Sequence, residues 1–312
     1  MTSKRNLVHA TFLFLLPLIV AWFELTVWSA VWLVLLMLLW RWVVSLSIFV
    51  MPAKVPVLVL ETISASHFVE KVRWNMDRAG IEYTEKAAGG TLGAFFMGRT
   101  VPRLKIKTGA TRSQIGNSPE ILRYLWGAYS GTAEADVDHL TPTAERLDLE
   151  KRLDRYGVNL QVWIYYHILR DRELTLRLWG ASSPDVPVWQ RSILRALFPL
   201  QRYLIRRAFR ITPENYDKAR EHIETLLAKM DTSLADGRGS ILGDQAINFT
   251  DITFAAMTGL WLQPPEYGGG RADDVLVSRD RLPDAMRADI ERWVEDYPRA
   301  VAWVQGLYAE GR

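Results

Sequence analysis

The sequence contains no cysteine. That absence excludes disulfide staples, thiolate-bound metals and every reaction in which the protein supplies its own thiol. Charge of one sign is also scarce: 38 Lys and Arg stand against 35 Asp and Glu, a formal net charge of +3 with a pI near 9.0. So mild a bias does not argue for a nucleic-acid partner without a basic motif, and the sequence has none. There is no P-loop, no dinucleotide-binding glycine pattern and no metal-ligating constellation. Neither a metal nor a nucleic acid is therefore expected.

What is present falls into two regimes. Of the 312 residues 49% are hydrophobic, and the excess is concentrated before Pro52, the remainder reading as an ordinary charged globular sequence. Leu7 to Phe23 is apolar, Glu24, Leu25 and Thr26 interrupt, and a second apolar stretch runs from Val27 to about Met51 with Arg41 inside it. A helix crossing a hydrocarbon core of about 30 Å needs roughly 20 apolar residues, so both stretches qualify. Lys4 and Arg5 precede the first stretch and Lys54 follows the second, so a helical hairpin with both ends cytoplasmic obeys the positive-inside rule. No small-x-small cleavage site follows the first stretch, which argues against a removed signal peptide. Arg41 leaves two arrangements open: two spans, or one span with an interfacial helix.

After residue 52 the pattern changes. Val55 to Leu60 reads as a buried strand, and Ser64, Ala65 and Ser66 lead into a helix over Phe68 to Ala79 that Gly80 stops. Ile81 to Lys86 forms a second strand and Thr91 to Arg99 an irregular connection. From Val101 and Pro102 an alternating run places Leu104 and Ile106 inward, and Ser113 to Ile115 pairs with it as a hairpin. Ser118, Pro119 and Glu120 then open a helix, with Ser118 as capping hydroxyl, Pro at the first helical position and an acid in the first turn. Arg73, on the first helix, is expected at the surface or in an interface.

From Thr143 onward the periodicity is helical. Leu147, Leu153, Tyr156, Leu160, Trp163 and Ile164 give one apolar face, and Ile223, Leu226, Leu227 and Met230 another. Asn248 can cap a following helix while Asp251, three residues on, reaches back to the free amides. Ala181 to Pro213 carries Arg191, Arg195, Arg202, Arg206, Arg207 and Arg210 among Ile193, Leu194, Leu197, Phe198, Leu200 and Leu204. It reads either as a basic amphipathic segment near an anionic leaflet or as a solvated Arg-rich face.

Several of these pieces resemble the glutathione transferase family: Ser66, His67 and Phe68 followed by Lys71, Val72, Arg73 and Trp74; Val101 and Pro102; Asn117 and Ser118 with Ile121, Tyr124 and Leu125; and Leu242 to Asp244 with Asn248 to Asp251. The resemblance covers about Val55 to the C-terminus. It implies an α+β/α fold, a thioredoxin-like βαβ-ββα domain over 53–130 and an all-helical glutathione-transferase C-terminal domain over 140–312, and the hydropathy pattern places one or two transmembrane helices before them at 1–52.

The resemblance further implies glutathione as co-substrate. Ser66 would be the catalytic hydroxyl of a serine-type enzyme, with Ser64 as alternative, donating a hydrogen bond to the glutathione thiolate rather than attacking. Val101 with a cis Pro102, Asn117 and Ser118 would bind glutathione. Two departures from the family stand out: the residue before the pocket Ser is commonly acidic, and here it is Asn117, and His67 stands where many relatives have Pro. Trp163, Tyr165, Tyr166 and His167 line a small hydrophobic substrate's pocket or belong to the core, with Trp163 and Tyr166 as the pocket candidates. The expected protein is a membrane transferase with cytoplasmic domains, pairing as a homodimer as the family usually does. A non-catalytic membrane adaptor, and a glutathione-dependent isomerase or peroxidase acting on a lipid, are the alternatives.

Overall fold

The structure is a computed structural model that describes residues 27–50, 56–89, 101–109 and 111–312. The first apolar stretch and the irregular segment expected over Thr91 to Arg99 lie outside the described residues. The described residues divide into two compact units, one drawn from Met1–Val57 with Ile106–Ser113 and the other from Leu58–Lys105 with Gln114–Arg312.

In the first unit, α1 spans Val27–Val50. Leu35, Leu36, Leu38, Leu39 and Trp42 along it are exposed. Its side chains are described at Trp28 and 31–43. Among the described residues no helix is long and apolar enough to cross a membrane.

Next come β1 (Val57–Thr62), α2 (His67–Arg78), β2 (Thr84–Ala87), β3 (Arg103–Thr108), β4 (Thr111–Gly116) and α3 (Ser118–Tyr129). The four strands form one sheet in the order β2-β1-β3-β4, with β1 and β2 parallel and Val59 paired to Thr84. Parallel neighbours need a crossover, and α2 supplies it. Burial alternates along β1, where Leu58, Leu60 and Thr62 point into the core and Val57 is exposed, as a half-covered strand requires. This order is the thioredoxin-like one expected.

The remainder is helical: α4 (Ala144–Ile168), α5 (Arg172–Leu178), α6 (Val188–Ala196), α7 (Phe198–Ala208), α8 (Pro213–Ser233), α9 (Phe249–Leu262), α10 (Asp284–Asp296) and α11 (Pro298–Gly311). At the centre lies α9, buried on every side except at Leu260 and packed by α2, α4 and α11. An all-round apolar helix is stable only in such a position. Its start is the expected capping box: Asn248 Oδ1 accepts from the Thr250 amide at 2.8 Å, and Asp251 accepts from the Asn248 amide at 2.9 Å. Asp251 also accepts from the Ile241 amide at 2.8 Å, so the same carboxylate pins the preceding loop.

The structure corrects the expectation for Arg73, which is fully buried. Its guanidinium bonds Glu70 at 2.9 Å and Glu85 at 2.6 and 3.0 Å. Glu70 also takes Arg312 Nε at 2.7 Å, and Trp74 Nε1 donates to the Gly311 carbonyl at 2.9 Å, so the C-terminal turn is latched onto α2. A buried guanidinium persists only when its charge and donors are matched, and here two carboxylates match it. One of them comes from β2, which the helical periodicity of α2 could not indicate.

Candidate functional site

The site begins where β1 hands over to α2. The chain turns at Ile63 to Ser66, closed by the Ser66 amide donating to the Ile63 carbonyl at 2.8 Å. Ser66 occupies the cap position of α2 with extended backbone, yet its side chain makes no capping bond. Ser66 lines a cavity of about 680 Å³. Ser64 lines a different cleft, with Glu61, Glu85 and Gln190. Of the two candidate hydroxyls, then, the geometry puts Ser66 in the main cavity.

Val101 lines the same cavity, and the Val101–Pro102 peptide is cis, with Pro102 buried. Asn117 and Ser118 complete this wall. Here the expected helix cap is corrected. Asn117, not Ser118, holds the cap position, with φ 75° and ψ 124°, and its side chain makes no capping bond. Positive φ is unfavourable for a residue with a Cβ and is retained at places where surrounding structure fixes it. Ser118 becomes the first residue of α3, 1% exposed, and its Oγ has no hydrogen-bond partner. A buried hydroxyl without a partner costs about 1–3 kcal/mol, and Ser118 carries that cost as a cavity-lining residue at a helix N-terminus, a position that favours anions.

The facing wall is one stripe of α4: Asp154, Val158, Gln161, Ile164, Tyr165 and Ile168. Leu178 and Trp179 at the end of α5, and Ile205, Ala208 and Phe209 from the α7 region, close the far end. The polar lining groups Ser66, Asn117, Ser118, Asp154 and Gln161 are thus joined by an apolar end formed by Ile164, Ile168, Leu178, Ile205 and Phe209. Burial raises the Tyr165 phenol above its usual pKa, so it stays a neutral donor at the apolar end.

Two expected pocket residues are not there. Trp163 is fully buried in the core, donating to Asp289 at 2.8 Å and packing on Trp293 with ring centroids 4.8 Å apart. Tyr166 stacks on Tyr216 at 4.1 Å. The cavity face runs through 161, 164, 165 and 168, at spacings of three and four, which turns 163 and 166 away from it. His167, 3.8 Å from Asp289, goes with them.

Sequence reasoning missed Asp154 and the charge cluster behind it. Lys71, with no exposed side-chain surface, bonds Glu150 at 2.9 Å and Asp154 at 3.0 Å, and Arg123 bonds the second oxygen of Glu150 at 2.7 Å. Burial raises the Asp154 carboxyl above its usual pKa, and Lys71 only partly offsets this. A lysine on the inward face of α2 was the available signal, since a buried ammonium demands partners.

His67 is buried behind Ser66, 3.0 Å from the Gly157 carbonyl through Nε2. Burial lowers its pKa to about 4 despite that bond, so it is a neutral strut between α2 and α4. Gly157 makes this approach feasible: a Cβ there would lie 2.7 Å from Met257 Sδ and 2.8 Å from Phe68 Cζ. Among the described residues no group of acidic or His side chains could hold a metal ion.

No curated protein matches the sequence significantly. Several solved structures are similar in overall path at low identity. One is glutathione S-transferase III in its apo form, 16% identical with a TM-score of 0.47, covering 81% of this chain and 92% of that one. Another is the theta class glutathione S-transferase of Xanthomonas axonopodis pv. citri with glutathione bound, 16% identical, TM-score 0.36, covering 80% and 97%. A third is maleylacetoacetate isomerase from Anaeromyxobacter dehalogenans 2CP-1, 15% identical, TM-score 0.41, covering 82% and 88%. Within the sequence itself, residues 213–306, from the start of α8 into α11, match the family model described as glutathione S-transferase, C-terminal domain.

Proposed function

We propose that this protein is a membrane-anchored, serine-type glutathione transferase that activates the glutathione thiol for attack on a hydrophobic electrophile. One observation carries the reading: Ser66 at the N-terminus of α2 and Ser118 at that of α3, neither making a side-chain hydrogen bond, line one cavity with Val101, and Ile164, Tyr165, Ile168 and Phe209 give that cavity an apolar end. A volume of about 680 Å³ lies within the roughly 300–1,000 Å³ of small-molecule sites. The match of residues 213–306 to the transferase C-terminal domain agrees with it.

In this mechanism the γ-glutamyl carboxylate accepts from Ser118 Oγ at the N-terminus of α3, where the helix dipole also favours an anion. Asp154 supplies the negative charge for the neighbouring ammonium, the role Asn117 cannot fill. Val101 holds the peptide portion. Ser66, at the N-terminus of α2, donates to the sulfur, and hydroxyl and dipole together lower the thiol pKa from about 8.5. The thiol proton leaves to solvent, the sulfur forms a bond to the electrophilic carbon, and the leaving group departs with its bonding pair. The apolar end bounded by Ile164, Tyr165 and Phe209 binds the second substrate and excludes water.

The apolar run from Val27 to Met51, helical over Val27–Val50, is assigned as membrane-anchoring, with the folded domains cytoplasmic.

The test is steady-state conjugation of glutathione to an apolar aryl halide by the full chain in detergent, beside Ser66→Ala. Turnover that falls about 10²-fold in the variant supports the assignment. A non-catalytic adaptor is the second reading, favoured by Asn117 where an acid is common, and saturable glutathione binding without turnover of any electrophile would establish it instead.

A further inference from the structure

We propose that α6 and α7 form a docking surface for the headgroup layer of an anionic lipid bilayer. The first support is charge. Residues 186–213 contain six Arg and no Asp, Glu or Lys. None of the six forms an ion pair with a described residue, in contrast to the buried side chains of Arg73 and Arg312, which are held by carboxylates. With no acid in their own segment to offset them, these six cations give it a concentrated positive charge that suits an anionic partner.

The second support is exposed apolar surface in the same place. Outside α1, the large apolar side chains exposed among the described residues are Val57, Val158 and five from this segment: Val188, Trp189, Leu197, Leu200 and Tyr203, with Trp189 62% exposed. On α7, Phe198, Gln201 and Ile205 face the core. Leu200, Tyr203 and Arg207, spaced by three and four, share the opposite face. The Arg207 guanidinium donates to the Tyr203 hydroxyl at 3.1 Å and lies 5.9 Å from that ring. Tyr203 therefore presents an apolar ring with a polar tip beside a cation, the combination suited to a membrane interface.

Beyond the end of α7 a cleft of about 740 Å³ is lined by Tyr203, Arg206, Arg207, Arg210 and Lys218, with Glu214 as its acid. Four cations against one carboxylate leave it receptive to lipid phosphates. Free nucleic acid would satisfy the arginines but not the exposed Trp189, Leu197 and Leu200, and an apolar protein groove would not satisfy the arginines. An anionic bilayer surface satisfies both. The inner side of the same segment, at Ile205, Ala208 and Phe209, lines the main cavity. A lipophilic substrate dissolved in the bilayer would then reach the cavity across α7. That delivery step rests on the transferase reading; the docking itself does not.

The absence of cysteine makes the test direct. The full chain carrying Leu200→Cys, or Thr225→Cys on exposed α8 as control, is labelled with an environment-sensitive fluorophore and reconstituted in phosphatidylcholine vesicles with or without phosphatidylglycerol. The expected result is a blue shift and quenching by a lipid-borne quencher at position 200 but not 225, only with the anionic lipid. Combining Arg206→Glu, Arg207→Glu and Arg210→Glu, all exposed, should weaken this docking by about 100-fold. The proposal is overturned by no response at position 200, by equal responses at 200 and 225, or by a response indifferent to phosphatidylglycerol. A concentration-dependent shift in lipid-free detergent, or a shift produced by added nucleic acid alone, would identify a different occupant and overturn it as well. Because the readout involves no glutathione, failure here leaves the transferase assignment standing, and the reverse.

Discussion

Replacing Ser118 by alanine separates stability from function. The Ser118 Oγ is buried and makes no hydrogen bond within the protein, so the substitution removes no protein hydrogen bond. Truncating a bonded buried hydroxyl costs stability, but removing an unbonded one relieves a desolvation penalty of about 1–3 kcal/mol. The melting temperature of Ser118→Ala should therefore equal or exceed that of the parent by a few degrees, at about 2–4 °C per kcal/mol for a domain of roughly this size. Binding should move the other way. A hydrogen bond to a carboxylate contributes about 1.5–3 kcal/mol, and about 1.4 kcal/mol is tenfold in Kd, so glutathione affinity should drop about 10- to 150-fold. The N-terminal amides of α3 remain, which is why binding weakens rather than vanishes. Thermal unfolding with and without glutathione reads both effects, because a ligand bound only by the folded state raises the transition with concentration. A Ser118→Ala protein that melts several degrees lower without ligand, or keeps the parent's glutathione-dependent rise, would refute the reasoning.

Other consequences follow from the same geometry. Asp154→Asn should raise the KM for glutathione with a smaller effect on kcat, read from initial rates at varied glutathione. Stability should fall on acidification: with its folded pKa lowered to about 4, His67 stays neutral while the unfolded chain takes up a proton below about 6.5. The stabilisation is thus complete above about 6.5 and is lost down to about 4, a loss of about 3 kcal/mol at about 1.36 kcal/mol per pH unit. His139, also lowered to about 4 by burial first and by Arg78, adds to the slope, so denaturant unfolding of His67→Gln against the parent isolates the His67 share. Gly157→Ala should destabilise by about 1–3 kcal/mol through its clash with Met257 and Phe68, less about 1 kcal/mol of helix propensity, and denaturant midpoints check it. Because Phe68 lines the cavity, the same variant should alter the KM for the apolar substrate.

The sheet order was legible because each element carries a local signal: the alternation of β1, the glycine after α2, the proline that opens α3. The capping box of α9 was readable for the same reason, since Asn248 and Asp251 are three residues apart. Ser66, Val101, Asn117 and Ser118 were found together through their order along the chain, and the structure places all four on one cavity. The misplacements share a cause. Arg73 is buried by a partner on another element, Glu85 of β2, which no window along α2 displays. Trp163 and Tyr166 were chosen for their chemistry, but which stripe of α4 faces the cavity is set by the packing of α8 and α9 against it. Asp154 was overlooked because a carboxylate in a charged helix reads as solvated until Lys71 is seen behind it.

In the proposed mechanism Ser66 and the N-terminus of α2 hold glutathione as its thiolate. The measurement that tests it most directly is the ultraviolet thiolate absorbance of glutathione bound to the full chain, followed against pH, in the parent and in Ser66→Ala. The account predicts saturable binding with half-ionisation well below the free thiol value of about 8.5, moving back toward it in Ser66→Ala while binding persists. No saturable binding at millimolar glutathione, or bound glutathione that ionises as it does free in solution, would contradict it.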